Sequence, residues 1–164
     1  KDIGYNWVHD SFGSNFRMTE IQASIGIYQL KKLNKWNYIR KRNSLMIINA
    51  LKEFLDMVRI PQIPNNINHA WYKCYIYINP KYNRNEVLRN LKAYGLPCMP
   101  GSCPEIYNEK AFDKNNARPN KNLMNAKELG DTSIAFSVHP SLKKKEIIDI
   151  CLNIKRVFRK IKKH

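Results

Sequence analysis

The chain has 164 residues, the size of one domain with its own hydrophobic core. Lys and Arg total 29 against 13 Asp and Glu, which gives a net charge of +16 and a pI of about 9.8. Such a surface attracts anionic partners, or is simply a solvated surface rich in lysine. No apolar run approaches the roughly 20 residues of a membrane span. The four cysteines form no C-x-x-C pair, so we expect neither a zinc site nor a disulfide framework, and a reduced, cytoplasmic protein fits best.

The first residues combine aromatic side chains, such as Tyr5, Trp7 and Phe12, with polar ones and show no helical or strand period. We therefore predict an extended arm and loop over residues 1–18, followed by one α/β domain over residues 19–164. Aromatic residues in an irregular arm indicate that the arm packs against a partner surface.

Residues 13–22 join this arm to a helix. Asn15 and Arg17 are two residues apart, so an extended backbone would direct their side chains to the same side. Thr19, with Gln22 three residues later, predicts a helix N-cap with a capping box. An amide, a guanidinium and a helix N-terminus would then converge on an anion such as a phosphate or a sugar diphosphate. The alternative is a plain loop that enters a helix.

The remaining elements are predicted from apolar periodicity and from turn residues. A long helix is expected over about 19–57. The apolar positions that keep helical spacing along it are Ile21, Ile25, Tyr28, Leu30, Leu33, Leu45, Ile48, Leu51 and Leu55. The clearest strand covers 70–78, with Tyr72, Cys74, Ile76 and Ile78 on one face and Trp71, Lys73, Tyr75 and Tyr77 on the other. A helix is then predicted from Asn83 to Gly95, followed by a short strand at 96–99 and a long loop at 100–119. A weak helix at 123–129, ended by Gly130, leads to a strand at 132–138. The last helix covers 142–161 and is capped by Ser141.

This order predicts an α/β fold, in which a small, mostly antiparallel sheet carries helices on one face and is preceded by a long helix. His69 is expected to be buried and hydrogen-bonded, and His139 to be a structural turn residue. Neither histidine is assigned to a site, and no nucleophilic partner lies beside Cys103 in the sequence.

Residues 13–26 read G-S-N-F-R-M-T-E-I-Q-A-S-I-G. This run resembles the G-x-N-x-R-M-T-E-x-Q-A-A-x-G signature of the DegT/StrS group, the pyridoxal-phosphate-dependent sugar aminotransferases of fold type I. Residues 69–72 resemble the family's H-x-W-Y, and residues 138–140 its H-P before the last helix. The resemblance covers nearly the whole chain. It implies the C-terminal small domain of such an enzyme, with the large cofactor domain outside this chain.

The resemblance also implies a function. The family transfers an amino group, usually from glutamate, to a keto nucleotide-sugar used for surface polysaccharide or lipopolysaccharide, and it works as a homodimer with pyridoxal 5'-phosphate. The lysine that forms the Schiff base belongs to the large domain. This chain should therefore hold no catalytic residue and no metal, and it should be inactive alone.

Four residues carry the expected site. Asn15 matches the asparagine that binds the cofactor phosphate of the neighbouring subunit, and Arg17 matches a residue at the rim of that site that faces the substrate. Ser102 and Tyr107 lie in the family's substrate-side loop. The loop at 101–107 departs from the family pattern, because Tyr107 stands about where a histidine is usual.

A basic RNA-binding module is the alternative from another class of protein. Tyr75 and Tyr77 on one strand face, together with the charge of +16, are typical of sheet platforms that stack bases. This alternative leaves the 13–26 run unexplained, and no ribonucleoprotein motif is present. Nucleic acid is therefore not the partner that we expect.

Overall fold

A computed structural model describes residues 14, 16–101, 105–112 and 118–163, and the chain forms two compact units, 1–34 and 35–164. The helices are α1 (Glu20–Leu51), α2 (Arg84–Ala93), α3 (Met124–Thr132) and α4 (Lys144–Lys162). The strands are β1 (Val58–Arg59), β2 (Lys73–Ile78), β3 (Cys98–Pro100) and β4 (Ser133–Ser137). Short 3-10 turns cover Lys52–Phe54, Ile106–Asn108 and Lys110–Phe112.

The strands form one four-stranded sheet in the order β1-β2-β4-β3, and every neighbouring pair is antiparallel. Strand β4 is central, because it pairs with β2 on one side and with β3 on the other. In this register Phe136 lies opposite both Cys74 and Cys98. The predicted α/β fold with a small antiparallel sheet after a long helix is confirmed.

The core lies on one face of the sheet. Strand β2 alternates, so that Cys74, Ile76 and Ile78 are buried while the residues between them are half-buried. Helices α1, α2 and α4 cover this face, as predicted. Their buried apolar residues are Ile47, Ala50 and Leu51 from α1, Val87, Leu88 and Leu91 from α2, and Ile147, Ile150, Ile154, Val157 and Phe158 from α4.

Strand β2 begins later than predicted. Trp71 has a φ of 51°, in the left-handed region, which interrupts the extended backbone before the strand. The side chain of His69 supports this turn, because its Nδ1 accepts a hydrogen bond of 3.1 Å from the backbone N–H of Trp71. Tyr72 is consequently 76% exposed rather than inward. The prediction that Tyr72 shares the face of the buried Cys74, Ile76 and Ile78 is therefore wrong. His69 is hydrogen-bonded as predicted, but it is exposed and not buried.

The end of α3 also differs from the prediction, since the helix runs through Gly130 to Thr132. The guanidinium of Arg84, at the start of α2, donates hydrogen bonds to the carbonyls of Gly130 and Asp131 at 3.3 and 3.1 Å. A cation at this position satisfies terminal carbonyls and complements the helix dipole. Gly130 is therefore not needed to end the helix. By contrast, Gly95 ends α2 with a φ of 71°, as predicted.

Helix α4 starts at Lys144 and is not capped by Ser141. The Ser141 hydroxyl instead lies 2.7 Å from Nδ1 of His139, which also accepts a hydrogen bond from the Ser141 backbone N–H. The N-cap is Lys143, whose backbone N–H donates to the Glu146 carboxylate at 2.6 Å. His139 is thus a structural turn residue, as predicted.

The periodicity of α1 identified a helix but misplaced part of its buried face. Leu45, which keeps the helical spacing, is 47% exposed, and Leu55, which lies beyond the end of α1, is 62% exposed. Two polar residues just before Leu45, Asn43 and Ser44, are fully buried instead. Asn43 is hydrogen-bonded to Arg42 and to the backbone of His139, whereas the Ser44 hydroxyl has no hydrogen-bond partner among the residues that the structure describes.

Replacing Ser44 with alanine should therefore stabilise the chain by about 1–2 kcal/mol. The mutation removes a buried hydroxyl without a partner, which costs roughly 1–3 kcal/mol, and alanine is the better helix former. Urea unfolding of the two proteins measures the difference. Ser141→Ala is the control, because its hydroxyl contacts His139 and its loss should destabilise. A Ser44→Ala variant that is less stable than the wild type would show that this hydroxyl is satisfied.

Candidate functional site

The segment that leads into α1 forms the predicted capping box. The backbone N–H of Thr19 donates to the Gln22 side chain at 3.0 Å, and the N–H of Gln22 donates to the Thr19 hydroxyl at 3.3 Å. Arg17 lies just before this box and is exposed. Asn15 falls outside the described residues, so its predicted position beside Arg17 stays a prediction.

This end of α1 has the chemistry of an anion site. The first helical amides, those of Glu20 and Ile21, have no acceptor within the helix because of their position. The helix dipole adds partial positive charge at the same end, and Arg17 supplies a guanidinium two residues before the cap. The carboxylate of Glu20 in this first turn is the opposing charge. The donors suit a phosphate group, whose multiple acceptor oxygens match amides and a guanidinium.

The second predicted part of the site is the loop after β3. Ser102 lies outside the described residues, whereas Tyr107 lies in the 3-10 turn Ile106–Asn108 and is half-buried. Its hydroxyl donates a hydrogen bond of 2.5 Å to the Glu105 carboxylate and accepts one of 3.2 Å from the backbone N–H of Leu123. The bond to Glu105, followed by burial, raises the pKa of Tyr107.

These bonds limit what Tyr107 can do. A phenol has a single proton, and Tyr107 already gives it to Glu105. A substrate could therefore bind Tyr107 only by donating a hydrogen bond to the phenolic oxygen. Alternatively, it could bind the Glu105 carboxylate beside it. Arg118 braces the same loop by donating to the backbone carbonyl of Asn108 at 3.2 Å. The structure thus gives Tyr107 a role in holding the loop.

The sequence prediction missed a cleft on the sheet face opposite the core. Tyr75 and Tyr77 are half-buried there, and the guanidinium of Arg59 lies 4.4 Å from the ring centre of Tyr77. The alternation along β2 predicted the two tyrosines on one face, which is confirmed. Arg59 could not be linked to them in advance, because its strand is only two residues long and carries no periodic signal.

The described cysteines do not offer a nucleophile. Burial raises the pKa of all three, to about 12 for Cys74 and to about 11 for Cys98, and it also raises the pKa of Cys151, so they remain thiols at neutral pH. Within residues 14, 16–101, 105–112 and 118–163, no group of three or more His, Cys, Asp or Glu side chains could hold a metal ion. None of the helices in these ranges is both long and apolar enough to cross a membrane.

Comparison with known proteins identifies the same family that the sequence signature at the start of α1 indicates. The DegT/DnrJ/EryC1/StrS aminotransferase family matches residues 2–155. An aminotransferase structure from Psychrobacter cryohalolentis is 37% identical, superposes with a TM-score of 0.85, and matches 97% of this chain and 43% of its own. The GDP-perosamine synthase of Escherichia coli O157:H7 is 25% identical over 154 residues, which is 92% of this chain and 39% of that enzyme.

A third relative shares the fold alone. GDP-4-keto-6-deoxy-D-mannose-3-dehydratase from E. coli, solved with bound hydrated pyridoxal phosphate, is 23% identical with a TM-score of 0.72, and the match covers 87% of this chain and 37% of that one. The chain therefore spans about two fifths of the length of the relatives it matches. Since the family match extends over nearly all of its residues, the chain belongs to the DegT/DnrJ/EryC1/StrS aminotransferase family.

Proposed function

We propose that this chain is the C-terminal part of a pyridoxal-phosphate-dependent, cytoplasmic aminotransferase. The whole enzyme transfers an amino group from glutamate to a keto nucleotide-sugar that is destined for a surface polysaccharide or a lipopolysaccharide. Residues 1–18 are the arm and cofactor loop, and residues 19–164 are the small domain. The observation that carries the proposal is the family match over residues 2–155, which includes the G-S-N-F-R-M-T-E-I-Q run. A relative named for a nucleotide-sugar product supports the substrate class.

The residues at the start of α1 fit the phosphate end of the cofactor. The guanidinium of Arg17 and the first helical amides are donors, which is what a dianionic phosphate requires. When bound, pyridoxal phosphate supplies the electron sink on which amino transfer depends. In the proposal, Asn15 donates its amide to the cofactor phosphate of the neighbouring subunit, and Arg17 faces the substrate at the rim.

The loop after β3 contributes the substrate side. Ser102 would contact the sugar directly, and Tyr107 would act together with Glu105, to which it is hydrogen-bonded. The lysine that holds the cofactor would come from the large domain, so the 164-residue chain alone is proposed to be inactive.

The exposed apolar residues of α1 support the homodimer in this proposal. Ile21 is 74% exposed, Tyr28 64% and Leu30 67%, which leaves apolar side chains in water along the first part of the helix. Contiguous apolar surface of this kind usually marks an interface. We assign it to contacts with the large domain and with the second subunit of the full-length enzyme.

The proposal is tested by following the nitrogen atom. The full-length protein is loaded with pyridoxal phosphate and incubated with ¹⁵N-glutamate and a panel of keto nucleotide-sugars. We expect a product whose mass shows one ¹⁵N amino group in place of the keto oxygen, together with 2-oxoglutarate. In the control the keto sugar is omitted. The ¹⁵N should then stay on glutamate, except for at most one amino group per enzyme that passes to the cofactor. A cofactor-loaded enzyme that transfers nitrogen to none of the panel would contradict the proposal.

A further inference from the structure

Two cavities on helices α1 and α4 join into one open groove. The smaller cavity has a volume of about 250 Å³ and is lined by residues of both helices, and the larger one, of about 530 Å³, is lined by residues of α1. They share Met46 and Asn49, so they are continuous. Every described residue that lines the groove belongs to the unit 35–164.

Large apolar side chains stand in water along this groove. Tyr38 and Leu45 on α1, and Ile148 and Leu152 on α4, are between 40% and 69% exposed. The two α1 residues are seven positions apart and the two α4 residues four, so each pair lies on one side of its helix. We call the surface formed by these four residues and the groove the α1–α4 face. Exposed apolar surface of this kind usually marks an interaction site.

The exposed side of α4 is cationic at both ends of its apolar pair. Lys145 lies three residues before Ile148 and Arg156 four residues after Leu152, so all four side chains form one row along the helix, and all are exposed. Within the described part of the chain, Lys145 and Arg156 form no ion pair. Asp149 is the exposed acid beside this row.

The cations inside the groove are largely engaged already. The guanidinium of Arg42 donates two hydrogen bonds to the side chain of Asn43, and Lys155 forms an ion pair with Glu53. Lys41 is the lining cation that makes no ion pair with a described residue. No acid is found among the described residues that line the groove. The unpaired positive charge therefore lies mainly on the outward row of α4.

This distribution of charge distinguishes between the partners that could cover the face. A second copy of this chain would bring two surfaces with a net charge of +16 together, which like-charge repulsion opposes. An acidic helix that lies in the groove would reach Lys41, but it would leave Lys145 and Arg156 in water. The surface of an anionic bilayer contacts the outward sides of both helices at once, and it takes up apolar side chains and cations together.

We propose that the α1–α4 face docks the protein on the surface of an anionic membrane. The two helices lie along the surface, and their four exposed apolar side chains enter the boundary between the headgroups and the acyl chains. Tyr38 suits this depth, because its ring is apolar and its hydroxyl is polar. Lys145 and Arg156 lie against the lipid phosphates. The contact is peripheral, and it does not depend on the proposed function, because binding requires no catalysis.

Binding of the full-length protein to lipid vesicles, measured by flotation, tests the proposal. The vesicles contain phosphatidylglycerol and phosphatidylcholine in a one-to-two ratio, and vesicles of phosphatidylcholine alone are the uncharged comparison. We expect the protein to prefer the anionic vesicles and to bind them less as salt is added, because salt screens the cations. The Leu152→Gln variant should have a partition coefficient roughly tenfold lower, because the leucine no longer enters the membrane.

The matched control for Leu152→Gln is Ile67→Gln. Ile67 is 52% exposed, against 50% for Leu152, and it lies outside the α1–α4 face. The Ile67→Gln variant should bind the anionic vesicles within about twofold of the wild type, as expected for a surface substitution outside the contact. Circular dichroism of both variants should match that of the wild type, because both side chains are on the surface.

A pair of lysine variants separates the proposed contact from the general attraction of a basic protein. Lys145→Gln should weaken binding to the anionic vesicles about fivefold, the contribution of one cation near such a surface. Lys121→Gln removes the same charge from an exposed lysine in the segment before α3. Its effect should be no more than about twofold, because a charge more than about 8 Å from the lipid is largely screened at physiological salt.

Three results would overturn the proposal. The first is a wild type that binds the anionic vesicles no better than the neutral ones. The second is binding in which Leu152→Gln and Lys145→Gln behave as their controls do, since the attraction would then be that of the net charge and not of this face. The third is no vesicle binding, together with Leu152-dependent self-association or Leu152-dependent binding of an acidic amphipathic helical peptide, which would make the face a protein interface.

Discussion

Replacing Phe136 with alanine should lower the free energy of unfolding by about 3–5 kcal/mol. Phe136 is fully buried in β4, an inner strand of the sheet, opposite Cys74 on one side and Cys98 on the other. Truncation removes the transfer free energy of the ring and leaves a cavity that strands paired on both sides cannot close, and losses of this size are typical of buried Phe→Ala changes. Urea unfolding followed by circular dichroism gives the value.

Phe16→Ala is the matched control for this prediction, because Phe16 is 93% exposed in this chain. Its loss should change the stability by no more than about 0.5 kcal/mol. Equal effects of the two substitutions would mean that Phe136 is not at the centre of a close-packed core, and the arrangement of β4 between β2 and β3 would be wrong.

Most of the fold was predictable from the sequence, because its regular elements carry clear periodic signals. In α4 the residues Ile147, Ile150, Ile154, Val157 and Phe158 repeat at helical spacing and are buried. The alternation in β2 placed Cys74, Ile76 and Ile78 in the core. These patterns result directly from burial against one face of a sheet, which is why they can be read before the structure is known.

The errors lie where a specific hydrogen bond overrides the signal that periodicity and turn residues give. The turn at Trp71 depends on a hydrogen bond from its backbone to His69, and the extension of α3 past Gly130 depends on Arg84, which is 46 residues away in the sequence. Similarly, Ser141 pairs with His139 instead of capping α4. The His69 and His139 contacts are local, but average propensities do not predict such specific turns, whereas Arg84 reaches Gly130 only in the tertiary structure.

The candidate site was predictable only in part. The capping box of Thr19 and Gln22 was found from spacing alone and is confirmed. The roles of Asn15 and Ser102 came from the family signature and stay predictions. The cleft beside Tyr77 was missed, since the sequence shows the tyrosines but gives no sign that Arg59 pairs with them across the sheet.

The Asn15→Ala substitution in the full-length enzyme should weaken cofactor binding about tenfold to a hundredfold. A side-chain amide that donates to a dianionic phosphate makes a hydrogen bond to a charged group, worth roughly 1.5–3 kcal/mol, and 1.36 kcal/mol corresponds to one decade in affinity. Asn15→Asp should be worse, because it places a carboxylate against the phosphate. The dissociation constant of pyridoxal phosphate is measured by absorbance titration, with the exposed Asn66→Ala as a control that should bind normally.

The most direct test of the account asks whether Asn15 completes the site of the other subunit. Asn15→Ala subunits are mixed with subunits that lack the cofactor-holding lysine, each parent being poorly active alone. Hybrid dimers then contain one site with both an intact lysine and an intact Asn15. The account predicts that amino-transfer activity reappears after subunit exchange, which is verified by native mass spectrometry. A mixture that contains hybrids and remains as inactive as its parents would contradict the assignment of Asn15 to the neighbouring subunit's cofactor site.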